Sequence, residues 1–174
     1  HDVAIGNNSL FKKIDGRAYS NVSMVNQSYY PRKYYYQSVS FNTQNITAES
    51  NVKFSSSVRG KNSANWIFYR LTDVMLMEAE ALVERNDTLN NDLRKAFNLT
   101  NAVYRRSNLA AAEKDSLAFT TYGSQEKMRD FVLLERQREL MFEGKRWFDL
   151  VRKARRDGTN GPMLDLAKRK YNKP

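Results

Sequence analysis

From Leu133 to Val151 the chain places Leu133, Gln137, Leu140, Gly144, Trp147 and Val151 at spacings of 4, 3, 4, 3 and 4 residues, and Met141 and Phe148 widen the stripe. This rhythm predicts a helix from Gln125 to about Arg156, with one edge packed on a neighbouring helix. Gly144 sits on that edge. A glycine inside a helix costs about 1 kcal/mol relative to alanine, so its position predicts a close crossing by another backbone. Ser124 is the expected N-cap, with Glu126 in the first turn. Gly158 is the expected left-handed cap at the other end, with Arg155 and Arg156 in the last turn. Gly161-Pro162 opens a short final helix through Lys170.

Two more helices precede this one. Trp66 to Glu84 carries Leu71, Val74, Met75, Met77, Ala79, Ala81, Leu82 and Val83, apolar on nearly every side, which predicts a mostly buried helix. Arg85 to Thr88 is a polar connector. Asn90 or Asn91 is the expected cap of the next helix, which runs to about Arg106. That helix gathers Leu93, Ala96, Phe97, Thr100, Val103 and Tyr104 on one side. A short connector between two such helices predicts an antiparallel hairpin. Residues 107–123 are ambiguous, with a helix-prone run at Ala110 to Lys114 and a breaker at Gly123.

The chain before Trp66 reads differently. Its segments are short, polar and aromatic-rich, and Tyr29 to Tyr36 is the densest aromatic stretch. Val39 and Phe41 alternate with Ser38, Ser40 and Asn42, so Tyr34 to Phe41 is a candidate strand, with Pro31 at its entry or on an edge. Tyr29, Tyr30, Tyr35 and Tyr36 are the candidate carbohydrate-binding residues. They could form a stacking platform for sugar rings or bases, or they could pack as core. The expected class is mainly α, with an irregular loop-rich segment containing short strands over 1–65 and a helical scaffold over 66–174.

Composition narrows the chemistry. The chain has no cysteine, and its single histidine is His1. Disulfides, thiolate metal sites and cysteine nucleophiles are thereby removed, and no internal histidine remains for a triad or a metal site. No metal and no cofactor is expected. No apolar run approaches the roughly 18 residues that a membrane helix needs, and the first residues lack the basic and apolar regions of a signal peptide. The start therefore reads as that of a mature chain or of a piece of something longer. The net charge of +10 is concentrated at the ends, with 10 basic and 3 acidic side chains in residues 144–174. A basic tail can bind nucleic acid or an anionic surface. It can equally be a solvated helix end whose cations complement the helix dipole.

Glu139 and Glu143 invite an acid/base reading, since glycoside hydrolysis uses two carboxylates with different pKa values. Each, however, has a lysine or arginine about one helical turn away, which keeps a carboxylate ionised. Both also lie on one predicted helix rather than on facing walls of a cleft. The pairs Glu143–Arg146, Asp149–Arg152 and Lys145–Asp149 are expected to meet on the helix surface. No phosphate-binding glycine loop or nucleophile elbow is present. No catalytic residue is assigned.

Two stretches resemble the SusD/RagB family. Arg70-Leu71-Thr72-Asp73-Val74-Met75-Leu76-Met77-Glu78-Ala79-Glu80-Ala81 is similar to its arginine, acidic turn, apolar run and Ala-Glu-Ala. Leu134 to Arg152, containing Glu139-Leu140, Phe142-Glu143-Gly144, Arg146-Trp147-Phe148-Asp149-Leu150 and Arg152, is similar to its closing signature. Ala96 to Ser107 resembles the family's intervening helix, and Tyr30 to Tyr34 resembles the segment ahead of these helices. The resemblance implies a TPR-like helical scaffold in which Arg70, Glu80, Glu139, Glu143, Gly144, Arg146, Trp147, Asp149 and Arg152 are structural. It also implies a non-enzymatic glycan-capture lipoprotein, exposed on a bacterial outer membrane such as that of Bacteroidetes, acting in polysaccharide utilisation with a SusC-like TonB-dependent transporter. The lipid anchor and the amino-terminal half would lie outside these residues. The alternatives are a helical protein-interaction module and, through residues 145–173, nucleic-acid binding. The resemblance implies no nucleic-acid partner.

Overall fold

The chain is mainly helical, and its helices assemble around small and aromatic side chains spaced three or four residues apart. A computed structural model describes residues 15–25, 28–31, 33, 36–41, 52–56, 67–108 and 117–171. Helices α2 (Leu71–Arg85) and α3 (Asp92–Ser107) form the expected hairpin, and α4 (Gln125–Glu139) packs against both. Ala79 and Val83 of α2 meet Ala96 and Phe97 of α3 and Met128, Phe131 and Val132 of α4 in one buried cluster. Alanines at the contact let the backbones approach, and the aromatics fill what remains. A 3-10 turn over Phe119–Tyr122 adds rings to this cluster. Phe119 meets Phe97 edge-on at 5.7 Å, and Tyr122 stacks on Phe131 at 4.2 Å. Residues 109–116, including the whole helix-prone run from Ala110 to Lys114, lie outside the described residues, as does Trp66.

The hairpin connector is closed by aspartates. Asp92 takes both arms of Arg85 at 2.7 Å and accepts the backbone N–H of Asp87, while Asp87 accepts from Leu89 and Asn90. Asn91 occupies the N-cap position in the left-handed region, φ 54°, and its side chain makes no cap. The expected asparagine cap is thus replaced by this aspartate arrangement. At the start of α4, Ser124 does cap, accepting from the Lys127 N–H.

Before the helices come α1 (Gly16–Asn21), then β1 (Val22–Val25) paired antiparallel with β2 (Ser28–Pro31), and β3 (Tyr36–Phe41) paired antiparallel with β4 (Val52–Ser56). The expected strand is therefore β3; Tyr34 and Tyr35 are outside the described residues. Pro31 closes β2, opposite Val22.

Three expectations are corrected. First, α2 begins at Leu71 rather than Trp66, because Arg70 is extended, φ −145° and ψ 162°. That geometry aims its guanidinium at α4 while its carbonyl starts the helix. Second, α2 is not buried all round: Leu71, Val74 and Met77 form an exposed outer row.

Third, the long helix breaks. After Glu139 the chain turns, with Phe142 at φ 65° and Gly144 at φ 73°, and restarts as α5 (Arg146–Asp157). Gly144 is exposed, unlike a glycine buried at a helix crossing, and Trp147 and Phe148 face outward. Gly158, at φ 66°, caps α5 as expected, and α6 (Gly161–Tyr171) follows. Glycine is needed at 144 for its left-handed backbone. Gly144→Ala is expected to cost about 1–2 kcal/mol from that conformation alone, read as a lower urea midpoint with an unchanged slope. A more stable alanine variant would show that the turn is not held in this form.

Candidate functional site: a buried charge junction at the end of α4

Helix α4 buries four charged residues, Glu135, Arg136, Arg138 and Glu139. Buried charge is tolerated only when paired and hydrogen-bonded, and the pairs here come from distant parts of the chain. Glu135 and Glu139 are one helical turn apart and share a face. Glu139 Oε1 accepts from Arg106 of α3 at 2.6 Å, from the Thr72 hydroxyl at 3.0 Å and from Arg70; its Oε2 accepts from Arg17 at 3.1 Å. The same Arg17 Nη1 reaches Glu135 at 2.6 Å, and its other nitrogens clasp Asp15 at 2.7 and 3.0 Å. Glu143, in the turn after α4, takes Arg70 Nη2 at 2.8 Å and the Lys33 ammonium.

A second group forms where α4 turns toward α2. Arg136 bridges Asp73 of α2 at 3.2 Å and Asp149 of α5 at 3.0 Å. Arg152 joins Asp149 at 2.7 Å to Glu80 at 2.8 Å, and Lys145 reaches Asp73 at 3.4 Å.

This junction ends the helix. Carbonyls in the last turn of a helix have no intrahelical partner. Here Arg70 Nη2 donates to the Glu139 carbonyl at 2.6 Å, and Lys33 donates to the Met141 carbonyl at 3.1 Å. Cations from elsewhere in the chain satisfy what a continuing helix would have satisfied.

The electrostatics follow. Burial by itself would raise the Glu139 pKa, but Arg70, Arg17 and Arg106 outweigh it and hold the carboxyl at about 2, against the usual 4.5. Burial likewise opposes the Arg17 charge, and Glu135 and Asp15 overcome it, so its pKa is raised. A carboxyl held ionised at neutral pH has no proton to give, so Glu139 cannot act as a general acid there.

Of the residues expected to be structural, Arg70, Glu139 and Glu143 come together in the first group, and Glu80, Asp149 and Arg152 in the second. Asp149 and Arg152 meet as expected. Glu143 pairs with Lys33 and Arg70, because it lies outside α5 and not one turn before Arg146; Arg146 instead points its guanidinium at the Leu133 carbonyl, 3.5 Å away. Lys145, at the start of α5, pairs with Asp73 of α2 and not with Asp149. Gly144 and Trp147 take no part in either group. Sequence reasoning missed Asp15, Arg17, Lys33, Thr72, Asp73, Arg106 and Arg136 as members. Only Glu135 to Glu139 carried a signal, as charges falling where the helix faces its neighbours.

Among the candidate tyrosines, Tyr29 and Tyr30 lie in β2, opposite Met24 and Ser23, and Tyr36 opens β3 opposite Ser56. Tyr35 lies outside the described residues. Among the basic-tail residues, Lys145 and Arg152 are engaged as above, Lys153 with Asp157 at 2.9 Å, and Arg156 with Glu84 at 3.1 Å. Among the described residues no helix is long and apolar enough to cross a membrane.

The model of the SusD family matches residues 6–174. SusD-like protein P38 of Formosa agariphila is 28% identical over 147 residues, covering 82% of this chain and 28% of that protein. SusD-like protein P2 of the same organism is 32% identical over 92 residues, covering 53% of this chain and 17% of that protein. The matched stretch thus spans less than a third of the length of either relative. No solved structure matches.

Proposed function

The chain belongs to the SusD family, and from that premise we propose that it takes part in non-catalytic capture of glycans at the outer membrane, for delivery to a SusC-like TonB-dependent transporter. In this reading the whole protein is surface-exposed and held by a lipid anchor outside these residues. The observation that carries the proposal is the family match over almost the entire chain. The junction supports it physically: its carboxylates answer cations and hold segments together. Recognition is assigned to the irregular part, where Tyr29, Tyr30, Tyr35 and Tyr36 are the proposed sugar contacts, since binding residues concentrate on loops positioned by a rigid scaffold.

Titration with soluble starch, laminarin and alginate at two salt concentrations tests this. Binding to at least one polysaccharide, weakly dependent on salt and without release of reducing ends, is the expected outcome. Reducing-end release that disappears in Glu143→Gln would make the protein an enzyme. Salt-steep DNA binding, abolished by neutralising Arg152, Lys153, Arg155 and Arg156, would replace glycan capture by nucleic-acid binding. The ion pairs of Arg152, Lys153 and Arg156 argue against that outcome. A second reading, a helical interaction module, is favoured by the exposed row Leu71, Val74 and Met77 beside Phe68 and Tyr69. It predicts binding to a protein partner and to none of the polysaccharides.

A further inference from the structure

The β1–β2 hairpin carries Tyr29 and Tyr30, and a cation brackets it on each side, one buried and one half-buried. Arg17 precedes it, in the short α1 that runs directly into β1. Lys33 follows it, two residues after β2 ends at Pro31. Both reach the same end of α4. Arg17 is 7% exposed and contacts Glu135 and Glu139. The Lys33 side chain is 15% exposed. Its ammonium reaches the Met141 carbonyl at 3.1 Å, the Glu139 carbonyl at 3.4 Å and the Glu143 carboxylate.

An ammonium has three donors, and here three acceptors face it, all from the end of α4 and the turn that follows. Burying a lysine is costly, and burial pushes the Lys33 pKa below its usual value against the pull of Glu143. A surface lysine on a connection between hairpins would avoid that cost altogether. Here the ammonium crosses more than 100 positions of sequence to reach the carbonyls where α4 ends, one of which it shares with Arg70.

We infer that Arg17 and Lys33 are positioning residues that clamp both ends of the β1–β2 hairpin to the end of α4, so that the helical scaffold presents Tyr29 and Tyr30 in a preset arrangement. The ligand side of this inference rests on the glycan-capture reading; the clamp does not. A preset hairpin loses less freedom on binding than a free one, which is how preorganisation raises affinity. The signature carboxylates Glu139 and Glu143 thereby gain a role beyond scaffold stability: they are the sockets through which α4 holds the irregular segment.

Amide hydrogen exchange on the full chain tests the clamp without any ligand. Lys33→Met is expected to speed exchange of the β1 and β2 amides by about ten-fold or more, while α2, α3 and the first two turns of α4 keep their protection. Unchanged exchange in β1 and β2, or acceleration spread equally over α2, α3 and α4, overturns the inference. If Lys33→Met fails to fold, Lys33→Gln keeps a donor for the carbonyls but no charge, and the same localised change is expected at smaller size. The ligand side is read separately, with whichever of soluble starch, laminarin or alginate the wild type binds. Lys33→Met should weaken that binding by about ten-fold while the α2–α3–α4 helices stay folded. Loss of protection in the hairpin with unaltered affinity would keep the clamp and remove its role in recognition. Absence of binding by the wild type would count against glycan capture and leave the exchange result to decide the clamp.

Discussion

Replacing Glu139 with glutamine is expected to destabilise the chain by about 3–5 kcal/mol, the usual cost of breaking a buried ion pair from one side. Glu139 is 2% exposed and receives Arg70, Arg106, Arg17 and Thr72. Glutamine has the same shape but turns an NH2 group toward donors that need acceptors. Arg17 keeps Asp15 and Glu135, and Arg70 keeps Glu143, so the loss is partial. For a chain of this size it should appear as a fall of roughly 10 °C in melting temperature.

The pH dependence provides an independent check. The folded pKa of about 2 lies below the usual 4.5, so the unfolded chain binds the proton first. The contribution of Glu139 is therefore complete above about pH 4.5 and is lost as the pH falls from there toward 2. The shift corresponds to about 3 kcal/mol. Urea titrations of wild type and Glu139→Gln at pH 7 and pH 3 should show the gap between them closing on acidification. A gap that is as large at pH 3 as at pH 7 would mean that the carboxylate is not stabilised by its arginines in the way the geometry indicates.

The second large effect is expected at Arg136. Its side chain is 4% exposed and bridges Asp73 to Asp149. Asp149 is the buried residue of α5, whose large apolar side chains Trp147 and Phe148 face outward. Helix α5 is thus held to α2 and α4 mainly by charges: Arg136 with Asp149 at the centre, and Arg152–Glu80, Arg156–Glu84 and Lys153–Asp130 around it. Exposed pairs of the latter kind contribute little each, on the order of 0–1 kcal/mol. Arg136→Met removes the buried one and leaves two carboxylates without their shared guanidinium, at a cost of about 3–5 kcal/mol. The loss should be local first. Helix α5 is expected to detach before the α2–α3–α4 core unfolds, so the Trp147 environment and the far-ultraviolet signal should report different urea midpoints. A single coincident transition would show that apolar contacts of α5 outweigh its charges.

These two sites mark the boundary of what could be read in advance. The expected core positions Ala96, Phe97, Thr100, Val103 and Tyr104 of α3 are buried, because helical spacing depends on local backbone geometry and places them on one face whatever else the chain does. Ser124 and Gly158 act as expected because a cap is a contact within one turn. The same local rule failed at Gly144. A 3.5-residue pattern ran straight through it, and the helix nevertheless ends at Glu139.

The amino-acid sequence by itself determined the helices, their core faces, their local caps and the family resemblance, since each rests on residues close together along the chain. Tertiary structure alone decided where α4 stops, which side of α2 stays exposed and which charges are buried. Those outcomes depend on Lys33, Arg70 and Arg17 meeting the end of α4 from 69 to 122 positions away. Whether a buried carboxylate is tolerated is settled by the cation that reaches it in space, and no spacing along the chain encodes that meeting.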